Sequence, residues 1–69
     1  MENQDMKRLG ALRYIVDTRY GYVGELITNI GEAFANEFVS LGFVIMGYTM
    51  DDKTWRVSEL AKRYYSFVS

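Results

Sequence analysis

The chain has 69 residues, 49% of them apolar and 16% aromatic, and its formal net charge is -1. A chain of this length folds as one small domain with a thin core. It contains neither Cys nor His, which excludes disulfides, the usual zinc sites and nucleophiles that depend on a Cys or His side chain. We therefore expect no enzymatic activity, no cofactor and no metal site.

The composition also predicts where the protein works. A small domain without disulfides suits a reducing compartment, so we expect a cytoplasmic protein. Residues 1–5 are polar and acidic, unlike a signal peptide. The longest uncharged run, 38–50, is too short to span a bilayer, so we expect no membrane association.

Residues 4–18 predict a first helix. Gly10 weakens that helix by about 1 kcal/mol relative to Ala. An alternative stays open, because 14–16 and 20–23 have strand propensity and residues 17–19 would join them in a hairpin. The helical prediction rests on apolar residues at three- and four-residue spacing, namely Met6, Leu9, Leu12, Ile15 and Val16.

Residues 25–41 carry the strongest helical pattern in the chain. Gly31, in the middle, is either a weak point within one long helix or the turn between two short ones. Gly42 stands where a helix commonly ends. The apolar stripe of this segment consists of Leu26, Ile30, Phe34, Phe38 and Leu41.

A hairpin and a last helix are predicted next. Residues 43–50 form one strand, the polar residues 51–53 a turn and 54–57 a second, antiparallel strand. Ser58 then caps a helix that runs to about residue 68, because its hydroxyl can accept a hydrogen bond from a free N–H of the first turn. The predicted buried stripe of this helix is Leu60, Ala61, Tyr64, Phe67 and Val68.

The segment 38–68 resembles the second half of a winged helix-turn-helix domain. In that family a helix ends in a Leu-x-x-x-Gly-Leu-Ile-like phrase, and a two-stranded wing and a capped helix follow. The matching residues here are Val39-Ser40-Leu41-Gly42-Phe43-Val44, the hairpin at about 43–57 and Val57-Ser58-Glu59-Leu60-Ala61-Lys62-Arg63-Tyr64-Tyr65.

The resemblance implies a single α+β, winged-helix-like domain over residues 1–69. The family's N-terminal helices would include one at 4–18 and a helix-turn-helix pair at 22–41, abbreviated around Gly31. A C-terminal helix would follow at about 58–68.

In DNA-binding members of the family, the second helix of the pair reads bases in the major groove. Carried over by resemblance, the reading positions here lie among Glu32, Ala35, Asn36, Glu37 and Ser40. Residues 22–52 contain no Lys or Arg, so this helix would present only negative charge to the phosphates.

A protein partner is therefore favoured over DNA. Adjacent helical residues cannot both face the core, so of Tyr64 and Tyr65 we expect Tyr65 to be exposed. The candidate partner face is Glu32, Asn36, Glu37 and Tyr65.

The predicted function is that of a small non-enzymatic regulator, an inhibitor, adaptor or accessory factor that binds a protein. A chain of this size is typical of phage- or plasmid-type accessory proteins. A homodimer through the C-terminal helix fits this prediction. One alternative is a dimeric DNA-binding transcriptional regulator, and a weaker one is an assembly subunit. The candidate nucleic-acid contacts are Lys53, Arg56, Lys62 and Arg63.

Overall fold

The structure is a computed structural model that describes residues 4–69. The expectation about a signal peptide rests partly on residues 1–3, which lie outside the described residues. The predicted α+β class is confirmed, with four helices and a three-stranded sheet in this range. In chain order the elements are α1 (Gln4–Thr18), β1 (Tyr20–Tyr22), α2 (Val23–Ile30), α3 (Glu32–Ser40), β2 (Val44–Tyr48), β3 (Lys53–Val57) and α4 (Glu59–Val68).

The helix predicted over 4–18 is confirmed, and the alternative hairpin with residues 14–16 is wrong. Helix α1 ends at Thr18, and the N–H of the next residue, Arg19, donates to the carbonyl of Ile15 at 2.9 Å. Arg19 has a φ of 79°, so the chain turns there and enters β1. Residues 20–22, in the second half of that hairpin, do form a strand, β1, but it pairs with β3 and not with residues 14–16.

Strand β1 joins the predicted hairpin as a third, antiparallel strand, in the spatial order β1-β3-β2. Since side chains alternate between the faces of a sheet, the register divides the strands into two surfaces. The inner face carries the buried side chains of Val44, Trp55 and Val57, which join the core. The outer face, as we call it from here on, carries Tyr20, Tyr22, Ile45, Gly47, Thr54 and Arg56.

Gly31 separates two short helices, which settles the question of one helix or two. Its φ of 89° and ψ of 154° belong to a region that is essentially restricted to Gly. Gly42, with a φ of 79°, ends α3 as predicted. The N–H of Phe43 donates to the carbonyl of Phe38 at 2.8 Å, and that of Gly42 to the carbonyl of Val39 at 3.1 Å. This pair of bonds is a Schellman motif.

The core lies between α1, α2, α3 and the inner face. Phe38 and Ile15 are fully buried at its centre, and each such side chain contributes about 1.5–3 kcal/mol of transfer free energy. Aromatic rings continue outward from Phe38: its centroid lies 6.1 Å from that of Phe34 and 5.8 Å from that of Phe43. Phe43 in turn lies 5.3 Å from Tyr64, so this series of rings connects α3 with α4.

The predicted buried stripe of α4 is wrong for four of its five members. Only Ala61 is buried, whereas the other four are exposed, namely Leu60, Tyr64, Phe67 and Val68. Tyr65, which we expected to be exposed, is half-buried against the core. The reason is that α4 packs on the domain along the side of Ala61 and Tyr65, so much of its apolar surface has no covering element.

The outer members of two other predicted stripes are exposed as well. In α1, Leu12 and Ile15 are buried while Met6 and Leu9 are exposed, and at the end of α3 Leu41 is exposed too. A domain of this size has too little interior to cover every apolar position.

Candidate protein-binding surfaces

Helix α4 presents an uncovered apolar surface. Leu60, Tyr64 and Phe67 follow one another at spacings of four and three residues, so they lie along one side of the helix. Their exposed fractions are 53%, 44% and 87%. Val68 lies next to this row and is also exposed. We call these four residues the α4 arc.

A concavity of about 250 Å³ lies between α1 and the α4 arc. Leu9, Leu12, Tyr64 and Val68 form its apolar lining, and the polar part consists of Asp5 and Arg8. The Leu60 end of the arc lies beside the loop at Gly42, where a Cβ would stand 3.7 Å from Cδ2 of Leu60. The uncovered surface of α4 thus extends to α1 at one end and to the loop at Gly42 at the other.

The polar side of α4 lies beside this arc. Lys62 Nζ forms an ion pair with Glu59 Oε2 at 3.2 Å, and Arg63 is exposed. At one residue per 100° of turn, these three positions occupy the half of the helix opposite Ala61. Lys62 lies away from the arc, whereas Arg63 borders it, four residues before Phe67 and three after Leu60.

The predicted partner face on α3 is divided by the fold. Glu32 and Asn36 are exposed, as the prediction requires. Glu37 is half-buried and accepts a hydrogen bond from Arg8 Nε at 2.7 Å. Tyr65 stands on another element, where it lines a second concavity beside α1. The four candidates therefore do not form one continuous free surface.

Arg8 is held by several groups at once. Its guanidinium lies 5.9 Å from the ring centroid of Phe34 and 3.4 Å from Oδ1 of Asp5. The hydrogen bond that Arg8 donates to Glu37 and the charge of that carboxylate raise the pKa of Arg8 above its ordinary value. Glu37 thus has a structural partner within its own chain.

The four predicted nucleic-acid contacts are also separated. Lys53 and Arg56 are both exposed on β3, but they are three residues apart and so point to opposite faces of the sheet. Lys62 and Arg63 lie on the polar side of α4. No shared basic face results from these four side chains, although each is accessible to solvent.

The outer face was missed by the sequence analysis. Tyr20 and Tyr22 are 72% and 51% exposed and stand on the same side of β1. Arg56 lies opposite Tyr20 in one direction and opposite Ile45 in the other. The alternation Tyr-Gly-Tyr was a visible signal, but its meaning depends on a register with a strand more than thirty residues away.

Other kinds of site find no support in residues 4–69. No group of three or more His, Cys, Asp or Glu side chains in this range could hold a metal ion. None of the four described helices is long and apolar enough to cross a membrane. Comparisons with protein-family models, with curated proteins and with solved structures find no match to the chain.

Proposed function

We propose that this protein is a small, non-enzymatic cytoplasmic regulator that acts by binding another protein. The α4 arc is the observation that carries the proposal. Exposed apolar residues that form one continuous surface, with polar residues around them, mark protein interaction sites. Phe67, at the C-terminal end of this surface, exposes most of its ring, and aromatic residues are enriched at protein interfaces.

One partner of the α4 arc is a second copy of the chain. Phe67 and Tyr64 together expose roughly 200–330 Å², since a large aromatic side chain carries about 150–250 Å². Leu60, Val68 and Leu9 add aliphatic area to this. A standard interface buries about 800 Å² per partner, of which somewhat over half is apolar, so the arc approaches the apolar area that a stable dimer needs.

The order of the elements supports a regulator of winged-helix type. Three helices, a two-stranded hairpin and a terminal helix follow one another in the expected order, and β1 is added before the second helix. The charge of α3 favours a protein partner over DNA, because its exposed polar side chains include Glu32 and Asn36 but no cation.

The experiment is the mass of the protein in solution over a wide concentration range, measured by sedimentation equilibrium. We expect a reversible dimer that Phe67→Asp converts to a monomer, because a carboxylate in the interface would lose its hydration. Ser66→Asp is the matched control, since it adds the same charge one residue away on the polar side of α4. A monomeric wild-type protein, or a Phe67→Asp variant that still dimerises, would remove the support for this interface.

A DNA-binding regulator is the second candidate. Lys53 and Arg56 are exposed and form no ion pair with another residue of the described range. Titration into duplex DNA at two salt concentrations tests this function, because phosphate contacts make affinity fall steeply with salt. Affinity that falls with salt, and falls further for Lys53→Ala and Arg56→Ala, would favour DNA.

A further inference from the structure

The outer face forms a shallow site with aromatic, apolar and cationic parts. Tyr20, Arg56 and Ile45 stand side by side across the three strands, and Tyr22, Thr54 and Gly47 form the next row. A concavity of about 240 Å³ lies over these strands, lined in part by Tyr20, Ile45, Gly47, Thr54 and Arg56.

Gly47 keeps this concavity open. A Cβ at position 47 would stand 2.9 Å from Oγ1 of Thr54, closer than van der Waals contact permits. The surface beside Ile45 therefore has a floor at Gly47 without a side chain, whereas Arg56 stands between Ile45 and Tyr20. Core packing does not require these exposed rings, because the inner face alone contributes the buried side chains of the sheet.

The charge on this surface is positive. Arg56 is the charged member of the six outer-face residues, and it forms no ion pair with any residue of 4–69. Arg19 is exposed at the same end of the sheet, where its carbonyl accepts a hydrogen bond from the N–H of Val57 at 2.7 Å. No ion pair within the described range occupies Arg19 either.

Arg19 also has an unfavourable backbone conformation. Its φ of 79° lies in the left-handed region, which costs a non-Gly residue roughly 1–2 kcal/mol and which Gly or Asn adopts more readily. Backbone strain of this kind is concentrated at functional sites.

We propose that the outer face binds an extended acidic segment of a partner protein. Carboxylates of the segment pair with Arg56 and Arg19, and an apolar side chain occupies the concavity beside Ile45 and Gly47. Tyr and Arg are the residue types that most often anchor protein interfaces. The inference rests on the proposed function, because it specifies the chemistry of an external partner for the same binding protein.

A peptide fits this surface better than a nucleic acid does. Two cations neutralise few phosphates, and the affinity of a nucleic-acid site depends on the number neutralised. The chain as a whole is acidic, with a net charge of -1, so long-range attraction for a polyanion is weak. A short acidic segment requires no more positive charge than Arg19 and Arg56 supply.

The test uses the full chain and a labelled peptide built from Asp-Asp-Val-Val repeats, which places both residue types on each side of an extended strand. A Lys-Lys-Val-Val peptide has the same apolar content with opposite charge. Fluorescence anisotropy gives the affinities, and amide chemical shifts of the protein locate the site. We expect the acidic peptide to bind and to shift the amide resonances of β1, β2 and β3.

The decisive variant is Arg56→Glu, with Arg63→Glu on the polar side of α4 as the control for an equal change of charge. Arg56→Glu should weaken binding of the acidic peptide about tenfold or more and should favour the Lys-containing peptide. Arg63→Glu should leave both affinities close to those of the wild type. A dispersed amide spectrum confirms that each variant is folded.

The inference fails if the acidic peptide does not bind, if its shifts lie outside the sheet, or if Arg56→Glu and Arg63→Glu weaken it equally. It also fails if single-stranded oligo-dT competes with the peptide and shifts the same amide resonances, with an affinity that falls steeply as salt is raised. That result would assign the outer face to a nucleic acid. Sedimentation of the same samples separates this failure from failure of the proposed function, because dimerisation through the α4 arc does not use the outer face.

Discussion

Arg8 on α1 and Glu37 on α3 are 29 residues apart in the chain, and Arg8 Nε donates a hydrogen bond to Glu37 Oε2 at 2.7 Å. A second, longer bond of 3.4 Å joins Arg8 Nη2 to Oε1 of the same carboxylate. The two-point geometry fixes the approach of α1 to α3 beside the ring of Phe34. Glu37, which the sequence had placed in the face for an external partner, therefore forms its hydrogen bond within the domain.

The first prediction concerns this pair. Glu37→Lys should lower the melting temperature modestly, because it places two cations side by side, whereas Glu32→Lys should leave it nearly unchanged. Arg8→Glu combined with Glu37→Arg should recover part of the loss by restoring opposite charges. Thermal unfolding of the four proteins, followed by circular dichroism, tests these expectations. A double variant no more stable than Glu37→Lys would show that the pair contributes little.

The same pair predicts a pH dependence with a definite sign. Glu37 raises the pKa of Arg8 above its ordinary value, and a raised pKa stabilises the folded state at every pH below that ordinary value. The contribution of Arg8 is therefore constant through neutral and mildly alkaline pH and is lost only in strong alkali. The difference in melting temperature between wild type and Arg8→Gln should therefore be the same at neutral and at mildly alkaline pH. A difference that disappears in mild alkali would contradict this.

Gly31 and Gly10 should respond in opposite directions to the same substitution. Gly31→Ala should lower the free energy of unfolding by about 1–3 kcal/mol, because its φ and ψ are essentially restricted to Gly. Gly10 lies within α1, and a Cβ there would meet nothing within 4 Å. Gly10→Ala should therefore raise stability by about 0.5–1 kcal/mol. Urea unfolding measures both, and a change of the same sign in both would contradict the backbone argument.

Ser58 should be difficult to replace, because its hydroxyl makes two bonds. It accepts from the N–H of Ala61 at 3.2 Å and donates to the carbonyl of Gly42 at 2.6 Å. Ser58→Ala should cost about 1–2 kcal/mol of unfolding free energy. Ser58→Asp should recover only the first bond, since a carboxylate has no proton to donate.

The control for Ser58 is Ser66→Ala, at an exposed position of the same helix, which should change stability by less than about 0.5 kcal/mol. Urea unfolding compares the three variants. Full recovery of stability in Ser58→Asp would mean that the bond to Gly42 is unimportant.

Gly47 and Thr54 should be energetically coupled. Gly47→Ala alone brings a Cβ to 2.9 Å from Oγ1 of Thr54 and should cost about 1 kcal/mol or more through overpacking. The same substitution in a Thr54→Ala background should cost less, because the clashing hydroxyl is gone. A double-mutant cycle in urea measures the coupling. Equal costs in the two backgrounds would show that the strands move apart instead.

Local features of the sequence predicted several parts of the fold. Periodicity identified α1 and the paired strands β2 and β3. Gly42 indicated the end of α3, and Ser58 indicated the start of α4, where its hydroxyl accepts the predicted bond. These predictions succeeded because helix caps and stops depend on residues only a few positions apart.

Which apolar residues are covered was decided by the tertiary structure. The sequence shows that α4 has a wide apolar side, but the packing of Ala61 and Tyr65 against the domain decides that Leu60 and Phe67 are left exposed. Hydrophobicity drives burial without specifying direction. A helix with more apolar surface than one small domain can cover therefore cannot be oriented from its sequence.

The candidate sites show the same division between local and long-range information. The sequence alone determined that the chain is a small α+β domain without Cys or His and that residues 22–52 lack cations. Only the tertiary structure assembled Tyr20, Arg56 and Ile45 on one face and paired Glu37 with Arg8. Strand register and ion pairs between distant elements arise from contacts formed when the whole chain packs, and no local pattern encodes them.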